Sequence, residues 1–119
     1  MPTQQETFDI IVAHLRRQGC RAGVKSDYGN IRCCYRTPDG LKCAVGILIP
    51  DDRYEPDMEG LVLRDNRKLK ALVVDELGHS LYLCDRMQMN HDGDAVDNWE
   101  AGFRGVAHDF DLIYTPPGA

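Results

Sequence analysis

Phe8, Ile11, Val12 and Leu15 recur at the i, i+3, i+4, i+7 spacing that lines one face of a helix. Thr3-Gln-Gln-Glu6 stands before them as a capping box, and Gly19 follows as the stop, so the spacing predicts a first helix. Residues 20–30 are dense in Gly, Ser, Asp and Asn and read as a loop. Ile31 to Arg36 then predicts a strand, and Thr37-Pro38-Asp39-Gly40 has the chemistry of a type I turn in which Gly40 takes the left-handed position of a bulge. Leu41 to Ile49 either returns as the second strand or turns helical near Cys43, because apolar residues fill both parities there.

Pro50 to Gly60 is an acidic connection punctuated by two prolines, and Leu61 to Leu63 suits a short strand. Asp65 or Asn66 can cap a helix with Leu69, Leu72, Val73 and Leu77 on one side, stopped by Gly78. Ser80 can cap another that carries Leu81, Cys84, Met87 and His91 and ends at Gly93. Asp97-Asn-Trp-Glu100 forms a second capping box ahead of Trp99, Phe103, Val106, Ala107 and Phe110. The sum is a single α+β domain over residues 1–119, with about four helices packed on a short antiparallel hairpin or small sheet. Residues 116–119 form a frayed tail.

Charge is unevenly spread. Residues 1–50 carry seven Lys/Arg against four Asp/Glu, whereas from Asp75 onward nine acids face only Arg86 and Arg104. The acidic balance disfavours direct nucleic-acid binding, which draws on Lys and Arg to neutralise phosphates. It leaves either a solvated acidic surface or an acidic docking face, for which Asp51, Asp52, Glu55, Asp57, Glu59, Asp92 and Asp94 are the candidates. No apolar run reaches membrane-span length and no secretory signal is visible, so a cytoplasmic setting is expected.

Five cysteines, odd in number and without a CxxC pair, point to free thiols in a reducing compartment. In the expected hairpin register Thr37 pairs with Leu41, Arg36 with Lys42 and Tyr35 with Cys43. Cys33 and Cys43 are then diagonal neighbours about 7–8 Å apart, beyond the roughly 4.4–6.8 Å that a disulfide needs between Cα atoms. Buried free thiols are one reading of these residues. A second is a cysteine hydrolase or transferase in which Cys43 opens a helix and His91, oriented by Asp92, takes its proton, with His108-Asp109 as the spare pair. A third is a zinc-stabilised module built from Cys33, Cys43, Cys84 and His91, a legal ligand set at an unfamiliar spacing. The aspartates at 92, 94 and 97 miss the spacing of a calcium loop, and no P-loop, dinucleotide fingerprint or HExxH motif occurs. No cofactor is implied.

The stretch CCYRTPDGLKCAVGILIPDDRYEPDMEG resembles the central segment of a family of small phage and bacterial proteins. The shared pattern falls here on Cys33, Tyr35, Arg36, Asp39, Gly40, Lys42, Cys43, Ala44, Gly46, Tyr54 and Glu59-Gly60, with His91-Asp92 and Trp99 downstream. The resemblance implies an intracellular accessory protein of phage or prophage origin. By analogy with other small acidic phage proteins, its partner would be a host protein or complex that it blocks, such as a defence or CRISPR effector.

Overall fold

The computed structural model describes residues 1–25 and 31–118. Helix α1 spans Gln4–Gln18 and opens with the expected capping box: Thr3 Oγ1 accepts from the Glu6 amide (3.0 Å), and Glu6 Oε1 accepts from the Thr3 amide (2.9 Å). It stops at Gly19, whose φ of 69° is left-handed. Phe8, Ile11, Val12 and Leu15 are all buried. The C-terminal segment returns to this helix. Ile113 exchanges two hydrogen bonds with Gln5, and Arg16 donates to the Thr115 carbonyl, so the chain is tied down as far as residue 115.

The hairpin is the main correction to the α+β expectation. Its turn and register form: Thr37 N–H donates to Leu41 O (2.9 Å), Cys43 N–H donates to Tyr35 O (3.1 Å), and Arg36 bridges Lys42. The ladder then stops after that single bridge. Residues 41–49 make no strand, because after Cys43 the chain turns into a short 3-10 helix, Gly46–Leu48. Strand β2, Ile31–Cys33, pairs antiparallel with β1, Gly23–Lys25, in the register Gly23 to Cys33. The loop expected over 20–30 therefore contains a strand in its described part; residues 26–30 lie outside the described residues. Among the described residues the fold is mostly helical, with this two-stranded pair its only sheet.

Helix α2, Arg67–Lys70, is capped by Asn66, whose side chain accepts from Leu69 N–H (3.2 Å). It runs on as a wider π-helical turn, Ala71–Glu76, and ends at Gly78 with φ 81°. The π turn keeps Leu69, Leu72 and Val73 buried. Leu61 to Leu63 is not a strand; Leu63–Asp65 is a 3-10 turn leading into the cap. Helix α3, Leu81–Gly93, has Ser80 as its N-cap and buries Leu83, Cys84, Met87, Asn90 and His91. Helix α4, Trp99–Asp109, buries Trp99, Phe103, Val106 and Ala107. The second capping box does not form. A 3-10 turn, Val96–Asn98, feeds α4 directly, and Glu100 instead makes a two-point ion pair with Arg16 (2.7 and 2.9 Å) and accepts from Tyr114.

Helices α1, α3 and α4, with α2 and the 43–49 segment, enclose one core. Among the described residues no helix is long and apolar enough to cross a membrane.

Candidate functional site

Two close approaches place the site. Gly46 lies so near β2's continuation that a Cβ on it would stand 1.9 Å from the Tyr35 carbonyl oxygen, a contact only glycine allows. Glu59 then straps the 59–62 loop onto the same segment. Its carboxylate accepts from the Tyr35 amide (2.9 Å), the Arg36 amide (3.0 Å) and the Tyr54 hydroxyl (2.7 Å). Tyr35 Oη in turn donates to the Leu61 carbonyl (2.5 Å). Burial and the Glu59 charge push the Tyr54 phenol up to about 12. Burial, with Cys43 and the nearby carboxylates after it, drives Tyr35 upward too.

The C-terminal turns of α3 supply the other wall. His91 is fully buried, stacks on Trp99 with ring centroids 5.5 Å apart, and uses both of its nitrogens. The Ala22 amide donates to Nε2 (3.1 Å), so the ring proton sits on Nδ1 and is donated to Asp92 Oδ1 (2.6 Å). Gln88 completes the frame, accepting from the Val45 amide (3.0 Å) and donating to the same Asp92 oxygen (2.9 Å). Cys33 also lies here. Its sulfur, a His91 nitrogen and an Asp92 oxygen all fall within 4.8 Å of one another. Burial first, and then the Asp92 charge and hydrogen bond, push the Cys33 thiol up to about 11.

Between these walls lies an open cavity of about 220 Å³, lined by Cys33, Tyr35, Glu59, Leu61, Val62 and Asp92 among others.

The structure brings His91 and Asp92 together but not with Cys43. Cys43 is fully buried, its Sγ accepts from the Gly46 amide (3.2 Å), and burial pushes its thiol strongly upward. It opens only a three-residue 3-10 turn, too short to supply the helix dipole that would activate a nucleophile. With both nitrogens of His91 engaged, no lone pair is left to take a thiol proton. His108 is solvent-facing on α4, 3.4 Å from an Asp109 that pairs with Arg86.

The expected zinc set is also dispersed. Cys33 and His91 share a cluster with Asp92, whereas Cys43 and Cys84 lie outside it. The trio fits a metal poorly, because a ligating histidine donates from its second nitrogen, and here that nitrogen accepts a backbone N–H.

The proposed acidic face divides in two. Asp51 is paired with Arg36 (2.8 Å) and Lys42 (3.3 Å), and Glu55 and Asp57 with Lys68 (2.8 and 3.1 Å). Asp52 is exposed, and the Asp94 carbonyl accepts from Arg21. Glu59 and Asp92 alone of the seven line the cavity. Sequence reasoning missed Gln88, an unremarkable polar position on α3 whose partners come from a segment 43 residues away. No family model, curated protein or solved structure matches the chain.

Proposed function

We propose that this chain acts by docking on a macromolecular partner, as a small accessory protein of phage or prophage origin that modulates or inhibits a host protein such as a defence or CRISPR effector. One observation carries the docking reading. Leu61 (57% exposed), Val62 (58%), Tyr82 (74%) and Met89 (64%) are large apolar side chains held in water on two neighbouring elements. The Arg64–Asp85 ion pair (2.9 Å) fastens the 61–65 segment to α3, and Asp85 sits one turn from both Tyr82 and Met89. Large apolar side chains left exposed on adjoining elements, beside charged groups, mark interaction surfaces more often than idle ones. The thiol-enzyme reading has the weaker support, since Cys43 is sealed and has no base.

The test is retention of a partner from host lysate by the wild-type chain and by Val62→Asp/Met89→Asp. Both positions are exposed, so the variant should keep its stability within about 0.5 kcal/mol per site. Docking through this face requires a protein retained by the wild type and lost by the variant. Equal retention by both, or no partner for either, overturns the reading.

A further inference from the structure

The two carboxylates at the cavity lack the basic partners that seven other acids have. Asp51, Glu55, Asp57, Glu76, Asp85, Glu100 and Asp109 each pair with a Lys or Arg. Among the described residues, no Lys or Arg forms an ion pair with Glu59 or Asp92. Glu59 is held by two backbone amides and a phenol, and Asp92 by Gln88 and the Nδ1 proton of His91. Neutral donors fix these carboxylates in place, and the two guanidinium groups nearest the cavity, Arg21 acting on Cys33 and Arg36 over the Tyr54 ring, form no ion pair with them. Asp92 remains 41% exposed, with its second oxygen outside the Gln88 and His91 bonds. The cavity therefore presents a prearranged negative site between the apolar side chains Leu61 and Val62 at one edge and Cys33 and Tyr35 at another.

We infer that this cavity receives one basic side chain, lysine or arginine, from the docking segment of the partner, with Asp92 as its counter-charge. The inference rests on the docking reading above and names the chemistry that the partner must carry. Size agrees: about 220 Å³ falls below the roughly 300–1,000 Å³ of small-molecule sites. A long basic side chain lays its methylene stem on apolar walls and brings its charge to the far end. Leu61 and Val62 would meet apolar residues beside that side chain, so the recognised segment is apolar-basic-apolar. Because the carboxylates are already oriented, little ordering remains to oppose binding.

The probe is a synthetic peptide, acetyl-Ala-Leu-Arg-Leu-Ala-amide, titrated into the isotope-labelled chain, with lysine and glutamine versions beside it. The arginine and lysine peptides should shift the amides of Gly60, Leu61, Gln88 and Asp92 saturably, and less so as salt rises. The glutamine peptide should not. Asp92→Asn, which keeps an acceptor oxygen for Gln88 and His91, should weaken binding about tenfold. Equal binding of the glutamine peptide to the wild type overturns the inference whatever the variant does. So does Zn²⁺ alone moving the same amides and displacing the peptide, which would make the cluster a metal centre. If Val62→Asp/Met89→Asp releases the partner and Asp92→Asn does not, the docking face stands and the cationic anchor falls. If the double variant keeps the partner, the docking reading itself has failed.

Discussion

At the scale of single residues, the two central thiols are both quiet, for different reasons. Cys43 is sealed in the core and accepts the Gly46 amide. Cys33 is half-buried and kept protonated in part by Asp92. Removing the Asp92 charge should therefore release chiefly Cys33, because the sealed Cys43 stays held by burial, its largest cause. In Asp92→Asn the Cys33 thiol pKa should fall below about 11 yet stay above its ordinary value, because burial is the larger cause. Iodoacetamide labelling followed by pH should show Cys33 reacting faster at pH 8–9 in the variant, with Cys43 slow in both. An unchanged Cys33 rate would mean that Asp92 does not touch it. Gly46 offers a second test, since a methyl there meets backbone rather than a movable side chain. Gly46→Ala should cost about 1–3 kcal/mol or more in urea unfolding, and a neutral result would show that the Tyr35 segment can move aside.

At the scale of elements, the helices were legible because capping and apolar spacing agree in them. Thr3, Asn66 and Ser80 all cap as the sequence suggests, and the stripe of α4 is buried through Trp99, Phe103, Val106 and Ala107. Phe103→Ala should accordingly lower stability by about 3–5 kcal/mol, read as the denaturation midpoint. An unchanged midpoint would remove α4 from the core. The hairpin was legible only as far as its turn, because local chemistry fixes Thr37 to Gly40 while nothing local decides what Cys33 pairs with. That choice is made by Ala22 and Gly23, in a stretch whose glycine content reads as loop. The site was half legible for the same reason. His91 and Asp92 stand out by type, but Gln88 and the Ala22 amide matter through partners far off in sequence. Several positions distant in sequence do meet at the site. Glu59 holds Tyr35, Arg36 and Tyr54, Gly46 lies against Tyr35, and Asp92 joins Cys33 to His91.

At the scale of the whole molecule, burial sets the pH range in which the fold holds. His14 and His79 are buried, one bonded to the Lys42 carbonyl and the other to Thr7, and burial lowers both pKa values. A depressed histidine keeps its contribution above its unfolded pKa of about 6.5 and loses it as pH falls through the folded value. The thiols act at the other end. Burial pushes Cys84 up to about 12, and Cys43 is raised as well. Below the unfolded thiol pKa, about 8.5, folded and unfolded chains hold the same protons. Above it the unfolded chain releases protons that the folded chain retains, so stability falls as pH rises. Each fully buried thiol then contributes a slope of about 1.4 kcal/mol per pH unit until its folded pKa is reached. Urea midpoints should thus be level between about pH 6.5 and 8.5 and drop steadily from pH 9 to 11. Cys84→Ala separates this cause from general alkaline repulsion. The variant should start lower, because it leaves a small cavity, and should then decline less steeply, because one retained proton is gone. A variant slope parallel to that of the wild type would mean that the Cys84 thiol ionises as freely in the folded chain as in the unfolded one, and that burial on the inner face of α3 does not hold its proton.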